Sequence, residues 1–525
     1  MVKVFPQRNA LVIPYRADVE AILQPAGRRF EHGGQWHLAL PHNLGVVRML
    51  RNLGLDAPSP IHHQYDWNGG TPFESQRITA DMCTVNRRAY VLSEMGVGKT
   101  RAVLWAYDYL RQMGDANKLL VVAPLSTLST VWENEIFECF PHLKARVLHG
   151  DKRKRKRLLG DEADIYIINH DGVEVVHAEL FGRTDINAVV VDELASYRNN
   201  RSLRWKNLAP IVKRSEFAWG LTGSPTPNAP TDAYGQAKLL TPESVGFSFK
   251  GFKDRTMRQV GTFRWIERPE AISVVHAAMQ PAVRFTRDQC FDLPPTTYTT
   301  LACGLSKEAA HAYKEMADDL ATQIRNHEIT AANEGVKLSK LLQISAGFAY
   351  DANGIGRYIG GVDRIREIFQ TIEAASGKVI VFAPFRYFVD LLGAVLSKKY
   401  DTAVIHGDVS ATERSRIFSE FQKTPNIRVL VAHPGTMAHG LTLTRANTII
   451  WASPTNSLEL YLQANARITR SGQGKNTFIV HIAATRAEQQ VYNRLRRKET
   501  LQGALLDLFE AGELTTGVFG AALAA

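Results

Sequence analysis

Cysteine is scarce in this chain and never paired. Cys83, Cys139, Cys290 and Cys303 are spread over 525 positions with no C-x-x-C spacing. That excludes a disulfide framework, gives no zinc-site signature, and predicts a reducing compartment. Long apolar runs are missing too. No stretch approaches the ~20 residues of a membrane helix, and residues 1–23 carry dispersed charge in place of a leader's apolar core, so a cytoplasmic protein is expected. No repeat of solenoid length occurs, and low complexity is limited to one basic hexad, Lys152-Arg153-Lys154-Arg155-Lys156-Arg157.

What is present describes a multidomain α/β chain. With 45% hydrophobic and 22% charged residues, large-scale disorder is excluded, and 525 residues exceed one ordinary core, so two or three domains are expected. Lys and Arg outnumber Asp and Glu by 63 to 52, a net charge of +11. The excess suits a polyanionic partner such as nucleic acid, although charge alone fits a merely basic enzyme equally well.

Apolar runs at 89–92, 119–123, 165–168 and 188–191 alternate with helical patterns such as 101–113, which predicts βαβ units and a parallel sheet. A second series at 378–382, 402–405, 429–432, 448–451 and 477–482, with a helix over 412–421, predicts a second parallel sheet. The segments expected are an accessory α+β module at 1–70, a first α/β domain at 71–228, a mainly helical insertion at 229–377, a second α/β domain at 378–510 and a tail at 511–525. In the accessory module, a strand over 35–40 and a helix over 44–53 are read, with Trp36, Tyr65 and Trp67 as aromatics that either stack on bases or, more commonly, are buried.

Three motifs carry the chemistry. In Glu94-Met95-Gly96-Val97-Gly98-Lys99-Thr100 a strand runs through a tight turn into a helix whose N-terminal amides suit a phosphate. Gly96 and Gly98 permit close backbone approach, Lys99 would reach the β- and γ-phosphates, and the Thr100 hydroxyl would ligate Mg²⁺. Ser93 stands where G-x-x-x-x-G-K-[ST] has its first glycine. Asp192-Glu193 closes the run 188–191 and so falls at the carboxyl edge of a parallel sheet, where such folds bind ligands. Asp192 would hold the Mg²⁺ shell and Glu193 would orient and deprotonate the attacking water. Gln463, Arg467 and Arg470 are spaced i, i+4, i+7 and would share one helix face ended by Ser471-Gly472. That arrangement suits arginine fingers serving an ATP site held mainly by another domain, worth about 10³ to 10⁵ in rate.

Read together, the motifs resemble those of superfamily-two helicases, and specifically of the Swi/Snf type of double-stranded DNA translocase, over roughly residues 70 to 510. Phe73-Glu74-Ser75-Gln76-Arg77 is similar to the family's Q motif, whose glutamine, here Gln76, would read adenine. The phosphate loop matches the family's form, which lacks the first glycine. Leu120 to Ser126 with Trp132, and Ile168-Asn169-His170, resemble DNA-facing motifs. Leu221-Thr222-Gly223-Ser224-Pro225-Thr226-Pro227-Asn228 resembles the motif that couples hydrolysis to movement. Residues 435–444 and 463–473 match the last two motifs. Arg284-Phe285-Thr286-Arg287, followed by Leu293-Pro294-Pro295, resembles the Swi/Snf insertion that touches DNA.

The resemblance implies two RecA-like lobes with a helical insertion, ATP and Mg²⁺ as cofactors, and sequence-independent binding of duplex or branched DNA. By position, Ser126, Asn169, His170 and Thr436 would meet phosphates. His170 is equally well read as a satisfied strand-end histidine, and the basic hexad as either a DNA track or a solvated loop. Ala195 departs from the histidine of the Asp-Glu motif, leaving its link to the coupling motif in question, and Thr442 stands where the family often has Asn. Two other functions stay open: a strand-separating DNA or RNA helicase, and a nucleotide-gated DNA clamp with weak hydrolysis.

Overall fold

A computed structural model describes residues 2–24, 26–260, 264–291, 293–325, 331–351, 353–437, 442–470 and 472–496. The tail at 511–525, the second domain beyond 496, Ser471 and residues 438–441 of the 435–444 motif lie outside the described residues. The chain divides into two units, Met1–Cys290 and Phe291–Gln502. Among the described residues, no helix is long and apolar enough to cross a membrane.

The first unit is built on a seven-stranded parallel sheet. Its strands, in lateral order, are Ala282–Val283, Arg88–Val91, Phe217–Leu221, Ile186–Asp192, Lys118–Ala123, Ile165–Asn169 and Ala145–Val147. The central strands are apolar on both faces, as a parallel sheet covered by helices requires. One face carries Leu120, Val122, Val189 and Val191 into one core, and the other carries Leu119, Val121, Ala188 and Val190 into a second. The second unit holds a six-stranded parallel sheet in the order Thr296–Ala302, Thr477–Ala483, Ala446–Trp451, Lys378–Phe382, Val429–Ala432 and Thr402–Ile405. The α/β expectation of two RecA-like sheets therefore holds, with all nine strands read from the sequence present.

The segment 229–377 differs from a single helical insertion. It is rich in helix, yet it gives an edge strand to each sheet. Ala282–Val283 pairs with the Arg88–Val91 strand, and Thr296–Ala302 pairs along its whole length with Thr477–Ala483. The helix Asp232–Leu240 buries Ala233, Tyr234, Ala237 and Leu240 in the core of the first unit, and Ala271–Ala278 adds Val275 and Ala278. The unit boundary falls inside the segment.

The accessory region contains the strand Gln35–Pro41 and helix Leu44–Asn52 as read, and three further strands, Lys3–Phe5, Ala10–Pro14 and Arg28–His32, complete an antiparallel sheet. Its inward residues Leu11, Ile13, Leu38, Leu40, Val47 and Leu50 share one core with Trp105, Tyr109 and Leu110 of the helix Lys99–Gln112. Tyr65 and Trp67 are committed to this packing: Tyr65 donates to the buried Asp108 carboxylate at 2.6 Å and Trp67 meets Trp105 edge-on. Trp36 alone of the three is exposed.

Candidate active site

Three neighbouring strands of the first sheet end in register, with Val91, Leu221 and Asp192 side by side. The residues that follow them, 92–100, 222–224 and 193, therefore form one continuous row at the carboxyl edge. This is where the sequence places the phosphate loop, the coupling motif and the acidic pair.

The phosphate loop turns on two left-handed glycines, Gly96 at φ 87° and Gly98 at φ 80°. The helix Lys99–Gln112 starts directly after them. The Lys99 ammonium donates to the carbonyls of Ser93 at 2.7 Å and Glu94 at 2.9 Å. Gln76 packs onto the loop: its amide nitrogen donates to the Gly98 carbonyl at 3.3 Å while its carbonyl accepts from Phe73 N–H at 3.0 Å. A side chain at 98 would drive its Cβ to within 2.1 Å of that amide. Met95, Val97 and Thr100 complete the loop.

The serine in place of the first glycine has a structural reason. Ser93 is buried, and its hydroxyl accepts the Phe285 N–H at 3.0 Å, while Glu94 N–H donates to the Phe285 carbonyl at 2.9 Å. Arg287 closes the clasp, donating from Nε to Glu94 Oε2 at 2.9 Å, with Arg284 at 4.0 Å from Oε1. Burial pushes the Glu94 carboxyl up, but Arg287 and Arg284 outweigh it and hold it below the ordinary value. Arg284-Phe285-Thr286-Arg287, expected as part of a DNA-touching insertion, instead braces the phosphate loop. A side chain can stand at 93 because the neighbouring strand supplies its partner.

Asp192 is half-buried, and desolvation raises its pKa, opposed by a hydrogen bond from Trp132 and the charge of Lys99. The Trp132 indole N–H donates to Oδ2 at 3.0 Å. This tryptophan is fully buried in a π-helical turn, Leu128–Glu133, that follows the Lys118–Ala123 strand. Such turns cluster at functional sites. Glu193 takes φ 52°, ψ 55°; apart from Asn9 it is the only non-glycine described residue at positive φ. That conformation costs on the order of 1 kcal/mol for a residue with a Cβ. It is held in part from the neighbouring strand end, where Thr222 Oγ1 donates to Glu193 Oε1 at 3.4 Å and accepts Ser224 N–H at 3.1 Å. The coupling motif thus meets the acidic pair directly, without the histidine that Ala195 replaces.

The nucleic-acid candidates separate. Ser126 is exposed just beyond the Lys118–Ala123 strand. Asn169 is half-buried and accepts from Arg155 Nη1 at 3.0 Å, and His170 is buried with Nδ1 3.2 Å from the Tyr197 hydroxyl. The structure therefore gives His170 its alternative reading, a strand-end histidine inside the fold. Arg155 belongs to the basic hexad, which is a helix, Lys152–Gly160, capped by Asp151. Arg155 turns inward onto the carbonyls of Leu148 and Gly150, so the hexad is neither a loop nor wholly solvated. In the second unit, Thr436 is half-buried and its hydroxyl donates to the His433 carbonyl at 2.7 Å.

The arginine segment departs from expectation. The helix Leu458–Asn465 ends before Arg467, and 466–470 turn away, so Gln463, Arg467 and Arg470 do not share one helix face. Gln473 explains the break: its amide donates to the carbonyls of Ile468 and Ala446, and Arg470 Nε bonds the Ala466 carbonyl at 2.9 Å. Side chains here take carbonyls that a continuing helix would have used. Arg467 is fully enclosed, Arg470 nearly so, and Gln463 is buried with its amide toward Glu459.

Ser93, Glu94, Trp132, Thr222 and Arg287 hold the site together; each lies in or beside a sequence motif, but sequence alone assigns none of them an individual role there. Thr222 and Trp132 lay inside quoted motifs, but their partners are set by lateral strand order, which sequence spacing does not encode.

Comparison with known proteins agrees with the motif order. The SNF2-related domain matches residues 75–349 and the helicase conserved C-terminal domain matches 362–472. Protein p41 of Acyrthosiphon pisum secondary endosymbiont phage 1 is 27% identical over 469 residues, covering 83% of this chain and 98% of that protein. The ATP-dependent DNA helicase DDM1 of Arabidopsis thaliana is 23% identical, covering 78% of this chain and 58% of its own. The DNA annealing helicase and endonuclease ZRANB3 of Mus musculus is 25% identical, covering 80% and 39%. The chain thus spans only about half the length of these two eukaryotic relatives. A Sulfolobus solfataricus SWI2/SNF2 ATPase core, solved in complex with dsDNA, aligns over 85% of this chain and 96% of that one at 22% identity, with a TM-score of 0.40.

Proposed function

Because the chain belongs to the SNF2-related family, whose domain matches more than half of its length, we propose that it is a DNA-dependent ATPase that moves along duplex or branched DNA. The observation that carries this reading is the row formed by Lys99, Thr222 and the Asp192-Glu193 pair on adjacent strand ends. A phosphate, a cation and an attacking water would be managed there by groups only a strand apart.

In this reading the amides of the phosphate loop and the Lys99 ammonium bind the β- and γ-phosphates, and Lys99 exchanges its two loop carbonyls for phosphate oxygens. Glu193 accepts a proton from water as that oxygen attacks the γ-phosphorus and the bond to ADP breaks. The donor set fits Mg²⁺: a desolvated carboxylate, Asp192, whose raised pKa marks the cost of burying its charge, together with the Thr100 hydroxyl. Among the described residues no cluster of three metal-ligating side chains occurs, in keeping with a cation that keeps water and phosphate oxygens as most of its shell. When bound, it neutralises charge on the transferring phosphoryl group.

Arg467 and Arg470 are the cations proposed to stabilise that charge when DNA is bound. Gln76 is proposed to meet the adenine. Ser126, Asn169 and Thr436 are proposed to meet DNA phosphates, which makes binding salt-sensitive and indifferent to sequence. The Thr222 to Glu193 contact supports turnover over a weakly hydrolysing clamp.

The test is the ATPase rate against matched duplex, single-stranded, forked and RNA substrates. Duplex is expected to stimulate most, and Glu193→Gln to keep nucleotide affinity while losing turnover by about 10²-fold or more. Best activation by single strands, with efficient fork opening, would replace translocation by strand separation.

A further inference from the structure

The antiparallel sheet of the accessory region buries one face and leaves the other bare. Leu11, Ile13, Leu38 and Leu40 point inward, and the alternate residues of the same strands point out. The pairings Lys3↔Val12, Phe5↔Ala10, Arg28↔Ala39 and Phe30↔His37 place Lys3, Phe5, Arg28, Phe30, His32 and His37 on this outer face. Phe30 stacks on His37 with centroids 5.6 Å apart, and His32 meets His37 edge-on. Phe5 is 44% and Phe30 36% exposed. No outward position of the four strands carries Asp or Glu: the acid in the edge strand, Glu31, pairs with Trp36 and belongs to the other face.

Exposed rings on an open sheet face bordered by cations, with no acid at its outward positions, match the surface on which unpaired bases stack while the backbone is neutralised. A duplex offers no free base faces to such a surface. A protein partner would find an apolar area of only two phenylalanines and a few small residues, much less than a stable interface buries. The face is also held rigidly to the ATPase, because its inward residues share a core with the helix that starts at Lys99. We propose that this face binds an unpaired DNA strand, Phe5 and Phe30 stacking on bases while Lys3 and Arg28 meet phosphates. It would make a branched or gapped DNA, carrying duplex for the motor and a free strand for the sheet, the substrate class of the whole chain. Only the choice of DNA as the polymer rests on the motor reading above.

The full chain is to be titrated by fluorescence anisotropy against a blunt duplex, the same duplex with an unpaired oligo-dT arm, and oligo-dT alone. The wild type is expected to prefer the armed duplex to the blunt one. Phe30→Ala should weaken armed-duplex and oligo-dT binding about 10-fold, from the usual worth of one base stack, and leave blunt-duplex affinity and blunt-duplex-stimulated ATPase within about twofold. Phe30→Trp should restore binding, and Phe30→Leu, which stays apolar but cannot stack, should not. Arg28→Glu should weaken armed and single-stranded binding most at low salt. Equal affinity of wild type and Phe30→Ala for the armed duplex, or restoration by leucine as by tryptophan, overturns the proposal. Failure of the motor reading would look different: the blunt duplex would not stimulate hydrolysis, whatever oligo-dT does.

Discussion

The two parallel sheets meet the solvent side of their carboxyl edges in opposite ways. At the edge of the first, Lys99 rests on loop carbonyls, Glu193 sits in a left-handed conformation, and the half-buried Asp192 carboxylate is supported by the Trp132 indole, the Glu193 N–H and the charge of Lys99. At the edge of the second, Arg364 donates to the carbonyls of Ala452 and Ile482, just past or at the ends of two adjacent strands. It also bonds Ser345 and forms a buried ion pair with Glu488 at 2.7 Å. His481, on one of those strands, is closed between Tyr461 and Tyr492. One edge holds a left-handed glutamate and charged side chains held by its own loops, while the other ties its cation to strand-end carbonyls and a buried carboxylate. A shared fold therefore does not carry a shared site, and the polar groups at the strand ends decide which sheet handles a nucleotide.

The sharpest way to break this comparison is to unplug the second edge. Arg364→Ala leaves Glu488 buried without its cation and should destabilise the second unit by about 3–5 kcal/mol, read as a lower urea midpoint; an unchanged midpoint would show that the plug is not structural. Lys99→Ala removes a donor to two loop carbonyls and should cost no more than about 3 kcal/mol of folding, yet lower ATPase by about 10²- to 10³-fold. Near-normal turnover would remove the first edge as the site.

Acid distinguishes the units next. Burial lowers the His481 pKa to about 3, against an ordinary value of about 6.5. The unfolded chain binds that proton first as pH falls, so the associated stability is present above about pH 6.5 and is lost toward pH 3. Between pH 8 and pH 5 the second unit should weaken by about 2 kcal/mol, and His481→Phe should flatten that slope in chemical-denaturation curves. The smallest expected effect is at Trp132. Trp132→Phe keeps the ring but removes the donor to Asp192, and should raise the Mg²⁺ concentration for half-maximal nucleotide binding by about tenfold, the worth of one hydrogen bond to a buried charged group. No change would mean that Lys99 and the Glu193 N–H settle that carboxylate without the indole.

Much of this was legible before the structure. Runs such as 378–382 and 188–191 are apolar on both faces, a pattern that central parallel strands share with little else, and the glycine-lysine turn fixes its own geometry. The edge strand Thr296–Ala302, though rich in β-branched residues, alternates too weakly in burial to stand out. Ala282–Val283 is too short to carry any period. The arginine face failed because i, i+4, i+7 spacing says nothing about where a helix stops, and the side-chain bonds of Arg470 and Gln473 to backbone carbonyls at the stop are not encoded in that spacing. Trp132 and Thr222 show the same limit in space: residues sixty and twenty-nine positions from the acids they touch are brought there by strand order.

As the proposed contact to adenine, Gln76 would tie base recognition to the phosphate loop on which it packs. Its amide holds Phe73 and Gly98 with one lone pair and one N–H, so a base that took the second N–H and second lone pair would be joined through the same group to the loop proposed to grip the phosphates. A shared group of that kind would make base identity and phosphate grip thermodynamically reciprocal: whatever a purine did to the loop, the loop would do in equal measure to the affinity for that purine. Nucleotide selectivity would then be a property of the loop's equilibrium, guarded by Gly98, which leaves no room for a side chain beside that amide.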